Sequence, residues 1–394
     1  MSAPGGRPEA VLFVVDAGGG HRATANALVA GAEGQASGVR LRVVSLQEVL
    51  APLDPARRLF GHGLEDVYNA LVRRRRTRFL VPLLRALQLS IAALHGRLVA
   101  RIAGFLAEAP PAVVVSLLPN FNAVLRDAVA RLSPRPPFVV LMTDLADFGP
   151  RFWLEEGLDG VVVPTEEAAR QALSLGLPQG RIWRTSGLVL HPRFYPRGSA
   201  EVRARVRQEL GARGEDGLAM LLFGGNGSPE MLGLAAALLS RTEARVVAVC
   251  GHDDALYAAM GPLEERYRGR LRRLGFTDRV AELMAASDVL LTKPGPGSLA
   301  EAFHQRVPVV VCGDARTIPQ ERFNVRFVAE RGLGLTVGRW RDAPAAVETL
   351  LRDGQLLDAL RARLETLAEN RALWEALGVI DSLARATPAV SLSA

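Results

Sequence analysis

Lysine is almost absent from this chain. Of 48 Lys and Arg residues in 394, only Lys293 is a lysine. Cysteine is nearly as scarce. Cys250 and Cys312 each end an apolar run, and neither joins a His, Cys or carboxylate pattern with metal-ligand spacing. A disulfide-stapled scaffold is therefore excluded, no bound metal is expected, and two buried thiols fit a reducing compartment. Aromatic residues make up 6% and are not interleaved with basic ones, which argues against a single-strand nucleic-acid binder. No Walker A loop, no Gly-x-Gly-x-x-Gly fingerprint and no Gly-x-Ser-x-Gly elbow occurs. No continuous apolar run approaches the ~18 residues that cross a bilayer. The run at 10–15 is too short for a secretory signal and meets a glycine turn at once. A cytoplasmic protein is expected.

What is present is a globular composition, with 49% hydrophobic and 23% charged residues and enough length for two or three domains. The net charge of +7 points to an anionic partner: nucleic acid, an acidic membrane surface or phosphates. Apolar, β-branched runs at 10–15, 41–45, 112–117, 138–143 and 160–163 alternate with helical patterns. The second half repeats the arrangement at 218–223, 244–250, 270–275, 289–291 and 307–311. Continuous rather than alternating runs are what parallel strands covered on both faces require. Between the halves, 187–196 and its neighbours carry His191, Pro192, Pro196, Gly198 and Ser199, a linker composition. The fold expected is α/β, with two doubly wound Rossmann-like domains facing a cleft. A last helical stretch, roughly 355–386, is expected to end by packing back on the first domain. Residues 46–111 are far more than one crossover needs. They hold Arg73, Arg74, Arg75, Arg76, Arg78 and Arg85 beside Phe79, Leu80, Leu83 and Leu84. Two readings stand: an interfacial helix on an anionic membrane, or an internal helix pair with solvated arginines.

Four turns carry the chemistry. Thr292-Lys293-Pro294-Gly295-Pro296-Gly297-Ser298 joins a buried strand to a helix that continues through Glu301. Free N–H groups there, with one lysine beside them, suit a phosphate; the bland alternative is an ordinary strand-to-helix turn. Gly224-Gly225-Asn226-Gly227 is the matching turn after the first strand of the second half, an anion cradle or a plain glycine turn. Asp16-Ala17-Gly18-Gly19-Gly20-His21 places a histidine at a helix start on the edge where open α/β sheets bind ligands. His21 is a candidate proton acceptor or a capping residue. Gln320, Glu321 and Asn324 offer amide and carboxylate groups suited to hydroxyl-rich ligands, or a helix cap.

Together these turns resemble glycosyltransferases of the GT-B fold, in particular the monogalactosyldiacylglycerol synthase and processive diacylglycerol glucosyltransferase family. The resemblance rests on Gly18-Gly19-Gly20-His21, on Thr143-Asp144 followed by Phe152-Trp153 and Val163-Pro164-Thr165-Glu166-Glu167, on Lys293 through Glu301, and on Gln320-Glu321-x-x-Asn324. It implies a UDP-sugar as substrate and no cofactor. Lys293, Gly295, Gly297 and Ser298 would surround the diphosphate, with Gly225 and Asn226 approaching the same region. Phe276 would meet the base through its backbone, Glu301 the ribose, and Gln320 and Glu321 the sugar. His21 would activate the acceptor hydroxyl, with Gly19, Gly20 and Asp144 on the acceptor side. Departures are Gly149-Pro150, where plant-type members carry His-Pro, and Pro294 in place of a small residue.

The resemblance implies an inverting hexosyl transfer to diacylglycerol or a related membrane lipid. Residues 1–190 would form the acceptor-binding domain, with a membrane-facing insertion at about 50–105. Residues 198–375 would bind the nucleotide sugar, and 376–394 would form a terminal helix and tail. The enzyme would be peripheral on the inner face of the membrane, with an anionic membrane surface and no nucleic acid as partner. Alternatives are a soluble enzyme of the same fold, such as a UDP-sugar 2-epimerase, a UDP-GlcNAc transferase acting on a lipid-linked precursor, or a nucleotide-sugar-binding protein without catalysis.

Overall fold

All ten apolar runs are strands in the computed structural model, which describes residues 7–15, 19–34, 37–53, 80–149, 152–214, 216–315 and 317–386. The chain forms two units, Met1–Pro192 with Asn370–Ala394, and Arg193–Glu369. In the first unit the strands are β1 (Glu9–Val14), β2 (Arg40–Ser45), β3 (Val113–Ser116), β4 (Phe138–Leu141), β5 (Val161–Val163) and β6 (Ile182–Arg184). They pair in parallel in the order β2-β1-β3-β4-β5-β6. The second unit has β7 (Leu218–Leu222), β8 (Arg245–Val249), β9 (Leu271–Leu274), β10 (Val289–Leu291), β11 (Val309–Cys312) and β12 (Gly334–Val337). These are again parallel, in the order β12-β11-β10-β7-β8-β9.

β6 and β12 are additions to the ten runs. Both are short edge strands, Ile182-Trp183-Arg184 and Gly334-Leu335-Thr336-Val337, in which most side chains are partly or fully exposed. An edge strand lies under fewer neighbours and needs no continuous apolar run. Inner strands show the opposite. Ala219 and Leu221 of β7 enter one core cluster while Leu218, Met220 and Leu222 enter another, so each face of the sheet is covered.

The order of pairing fixes where a ligand would meet each sheet. In the first unit β1 has β2 on one side and β3 on the other; in the second, β7 lies between β8 and β10. Those are the points where the winding reverses, and the loops leaving the strands there open a crevice at the C-terminal edge.

The crossover from β2 to β3 contains the helix Leu80–Glu108. Ile91, Leu98, Val99, Ile102 and Leu106 recur at helical spacing and are buried in the first unit's core. His95 Nε2 lies 2.8 Å from Asp127 Oδ2, and Arg101 Nε donates to the Val49 carbonyl at 3.0 Å. Although no continuous apolar run is this long, Val81–Glu108 has the length and composition of a membrane-crossing helix, with a mean hydropathy of 1.4 over its most apolar window. The buried stripe accounts for one face of it. Leu89, on another face, is 72% exposed. The arginines at 73–78 lie outside the described residues, as do Gly18 and Pro150.

The chain returns to the first unit at its end. The helix Ala372–Ala386 is preceded by Asn370, whose Nδ2 donates to the Leu188 carbonyl at 2.9 Å. Glu375 accepts from the Ser186 backbone N–H at 2.7 Å. Leu373 packs on Gly31, where an added Cβ would lie 2.8 Å from a Leu373 methyl, so the small residue admits the helix.

Candidate functional site

The first unit presents a histidine at the edge of its sheet. β1 ends at Val14, and the helix Gly20–Gly34 begins after Gly19, which is left-handed at φ 82°. His21 therefore sits on the first turn of that helix. Thr143, just after β4, places Oγ1 3.0 Å from His21 Nδ1. The Leu117 backbone, just after β3, also meets the ring and favours its charged form. Strands β1, β3 and β4 are neighbours, so the sheet order alone brings these three segments together. Burial dominates and lowers the His21 pKa to about 4. The imidazole is neutral throughout the physiological range, and burial makes it a weaker proton acceptor than a free histidine. Thr143 Oγ1 can donate to the neutral ring or accept from the charged one.

Trp153 closes this site from behind. It is fully buried, its ring centroid is 5.7 Å from that of His21, and its Nε1–H donates to Asp144 Oδ2 at 2.7 Å. Burial raises the Asp144 carboxyl to about 6 despite that hydrogen bond, and the neighbouring charge of Asp147 adds to the rise. Asp147 is raised to about 6 as well, again by burial, although it accepts backbone N–H bonds from Phe148, Trp153 and Leu154. Those three bonds shape the loop that delivers Trp153. Nothing in the sequence marks Asp147 rather than Asp144 as the aspartate that holds this loop.

The second unit carries its own constellation at the β7/β10 reversal. Leu221 pairs with Leu291, so the turns that follow β7 and β10 leave the sheet side by side. Thr292 ties them: its buried Oγ1 donates to the Leu222 carbonyl at 2.5 Å. A Cβ on Gly224 would lie 3.5 Å from Lys293 Nζ, and one on Gly295 would lie 3.6 Å from Glu321 Oε1. Lys293, the two glycine turns and Glu321 are thus one cluster. Among the described residues the Lys293 ammonium has no hydrogen bond or ion pair.

The helix Pro296–His304 starts at this cluster. Pro296 has no N–H to satisfy, and the first intrahelical bond in this turn is Leu299 N–H to Gly295 O at 3.2 Å. The N–H groups of Gly297 and Ser298 remain for a ligand, at the positive end of the helix dipole. The glycines divide into two kinds. A Cβ on Gly227 would lie 2.6 Å from the Cys250 carbonyl oxygen, so the fold requires that glycine. Around Gly225 and Gly297 a Cβ would meet nothing within 4 Å. The fold does not need glycine there, whereas a molecule approaching the backbone does.

Phe276, after β9, is 65% exposed and stacks on His252, after β8, with centroids 4.1 Å apart. His252 N–H donates to the Gly225 carbonyl at 2.9 Å, which couples this aromatic pair to the glycine turn. Glu301, on the second turn of the Pro296–His304 helix, is pushed up to about 8 by loss of solvent, with the Arg193 charge opposing. It is largely protonated at neutral pH and can both donate and accept. Gln320 and Glu321 lie on the short 3₁₀ turn Pro319–Glu321 before the helix Arg322–Arg331. Asn324 differs from the reading that grouped it with them as a ligand-facing residue. It is 1% exposed, and its Nδ2 donates to the Pro294 carbonyl at 2.8 Å. Its amide braces the lysine turn from beneath. Asn226, Gly19 and Gly20 are at the surface. Among the described residues no group of His, Cys, Asp and Glu could hold a metal ion.

The family model described as monogalactosyldiacylglycerol (MGDG) synthase matches residues 64–189. The chain is 26% identical over 220 residues to the processive diacylglycerol beta-glucosyltransferase of Bacillus pumilus (strain SAFR-032), covering 55% of each protein. It is 27% identical over 362 residues to monogalactosyldiacylglycerol synthase 1, chloroplastic, of Arabidopsis thaliana, covering 88% of this chain and 65% of that protein. The matched regions thus span less than two thirds of either relative. Among solved structures, the calicheamicin glycosyltransferase CalG4 superposes with a TM-score of 0.63 at 16% identity, covering 97% of this chain and 100% of that one. That likeness shows the fold, the GT-B pair of Rossmann-like units. In sequence the chain is a relative of the diacylglycerol glycosyltransferases and monogalactosyldiacylglycerol synthases.

Proposed function

We propose that the protein is an inverting, UDP-sugar-dependent hexosyltransferase whose acceptor is the hydroxyl of diacylglycerol or a related membrane lipid. The relatives' names motivate the lipid acceptor. The observation that carries the donor half is the Lys293 ammonium, unpartnered among the described residues, beside backbone turns that keep glycine where the fold does not demand it. In this reading the second unit holds the nucleotide sugar. Lys293 and the N–H groups of Gly297 and Ser298 take the diphosphate, and Gly225 and Asn226 approach it. Phe276 meets the base, Glu301 the ribose, and Gln320 and Glu321 the hexose, while Asn324 keeps the turn in shape.

The first unit handles the acceptor. A lipid hydroxyl is a poor nucleophile, and neutral His21 accepts its proton as the oxygen attacks the anomeric carbon. The bond from that carbon to the diphosphate breaks, its electron pair leaves with the UDP, and the new carbon–oxygen bond forms on the opposite face. General-base assistance contributes about 10²–10⁴-fold. The rest comes from orientation and from stabilising the charge that grows on the leaving diphosphate. Gly19, Gly20 and Asp144 shape the acceptor side. The helix Leu80–Glu108 and the arginine-rich segment before it bring the enzyme to an anionic membrane surface as a peripheral protein on the cytoplasmic face.

The test is incubation of the purified protein with labelled UDP-glucose, UDP-galactose and UDP-GlcNAc and with diacylglycerol in anionic or neutral vesicles. A β-linked glycolipid should form, faster on anionic vesicles. Binding of UDP without product from any donor would remove the enzymatic reading.

A further inference from the structure

The edge of the second sheet opposite the glycine turns carries a different feature. A cavity of about 270 Å³ opens there among Arg203, Ser287, Arg306, Arg361 and Glu365, at the entrances to β10 and β11. Its charge is unbalanced. Asp288 is shared by three guanidiniums, accepting from Arg203 at 2.5 Å, Arg361 at 2.7 Å and Arg207 at 3.0 Å. Glu365 is the carboxylate in the wall and is itself contacted by Arg197 at 3.4 Å. Three arginines thus line the space against one glutamate.

Arg306 is the telling residue. It occupies a left-handed position, φ 60°, just past the helix Pro296–His304, where glycine is the usual choice. Val307 N–H to the Ala302 carbonyl at 2.9 Å and Arg306 N–H to the Phe303 carbonyl at 3.2 Å complete that helix end. A strained arginine in place of glycine needs a reason in its side chain. The side chain is 10% exposed, and Nη2 donates to the Leu367 carbonyl at 2.9 Å. Nη1 donates to the Phe303 carbonyl at 3.3 Å, and among the described residues the buried Nε makes no hydrogen bond, being ion-paired with Glu365 Oε2 at 3.4 Å without the geometry for one. A buried guanidinium N–H left open is costly unless something takes it. Burial holds both Arg203 and Arg306 below the ordinary arginine range; Asp288 opposes this for Arg203, with Arg207 and Arg361 adding to it, while for Arg306 Arg197 adds to it and Glu365 and Glu369 oppose.

We propose that this cavity is a binding site for a small phosphate-bearing anion, separate from the nucleotide-sugar turns. An oxyanion seated there would accept the Arg306 Nε–H and offset the crowding of Arg203, Arg306 and Arg361. The volume suits inorganic phosphate or a short phosphate ester and lies below that of ordinary nucleotide-sized pockets.

The test is calorimetric titration of the full chain with inorganic phosphate and, separately, with glycerol 3-phosphate, with chloride as the control salt. Arg306→Gly is the main variant, because glycine fits the left-handed backbone and the fold should survive. Arg361→Gln is the second, since Arg203 and Arg207 still hold Asp288. Wild type should bind at least one titrant, and each variant should lose roughly tenfold or more in affinity. UDP affinity should stay unchanged in both. Tighter binding of glycerol 3-phosphate assigns the site to an esterified headgroup, and tighter binding of inorganic phosphate to the free ion. Absence of binding by both titrants, or equal affinity in wild type and well-folded variants, overturns the proposal.

Discussion

Replacing Asp144 with asparagine should make the protein more stable and less active. The folded carboxyl is raised from 3.8 to about 6, chiefly by burial, with Asp147 adding to it and the Trp153 Nε1–H opposing. The folded state therefore holds the proton more tightly than the unfolded chain does. The group's contribution to stability is full below pH 3.8 and is lost as pH rises through about 6. At neutral pH the difference amounts to about 3 kcal/mol. Asparagine keeps an oxygen to accept from Trp153 Nε1 but cannot ionise. Asp144→Asn should gain up to about 3 kcal/mol at pH 7.5, or roughly 2–4 °C in midpoint for each kcal/mol in a unit of this size. At pH 4.5 the gap should shrink to about 1 kcal/mol. Denaturant titrations followed by tryptophan fluorescence at both pH values would measure this, since buried Trp153 reports directly on the loop. Turnover should fall while stability rises, the pattern of a carboxylate kept for function at a cost to the fold. If Asp144→Asn lowers stability equally at both pH values, the carboxylate is structural and the reasoning fails.

Lys293→Ala should weaken UDP binding by about 1.5–3 kcal/mol with circular dichroism unchanged, and unaltered affinity would discard Lys293 as a phosphate ligand. Gly297→Ala should leave stability the same or slightly raised, because a Cβ there meets nothing within 4 Å, yet reduce UDP affinity by crowding the diphosphate. Full affinity in that variant would show that the open space is not used. His21→Ala should cut turnover about a hundredfold or more while sparing UDP affinity. Because burial lowers the His21 pKa to about 4, the wild-type rate should show no His21 limb between pH 6 and 8. A limb near 6.5 that disappears in the variant would mean that the ring is solvated in the working enzyme.

Ten of the twelve strands, the doubly wound grammar and the three glycine turns are legible in the sequence alone. Each is a local matter: a strand buried on both faces must be apolar throughout, and a backbone that meets a ligand must lack a side chain. The same locality makes Lys293 legible, because one lysine among arginines beside a glycine turn needs no tertiary context to be noticed. β6 and β12 were not legible, because Ile182-Trp183-Arg184 and Gly334-Leu335-Thr336-Val337 are short and interrupted by charged, polar or glycine residues, whereas the other two edge strands, β2 and β9, were read. The sheet orders were not legible either. Only they set β7 beside β10, and so Gly224 beside Lys293, or bring Thr143 to His21 across β3. The state of each site group also belongs to the tertiary structure. His21 is neutral, Asp144 and Glu301 hold their protons unusually tightly, and Asn324 faces inward because of what surrounds them. The cavity at Arg306 joins residues about a hundred and sixty positions apart, from 203 to 365. Spacing along a chain encodes helix faces and turns, but desolvation and charge crowding arise only when distant segments are packed into one place.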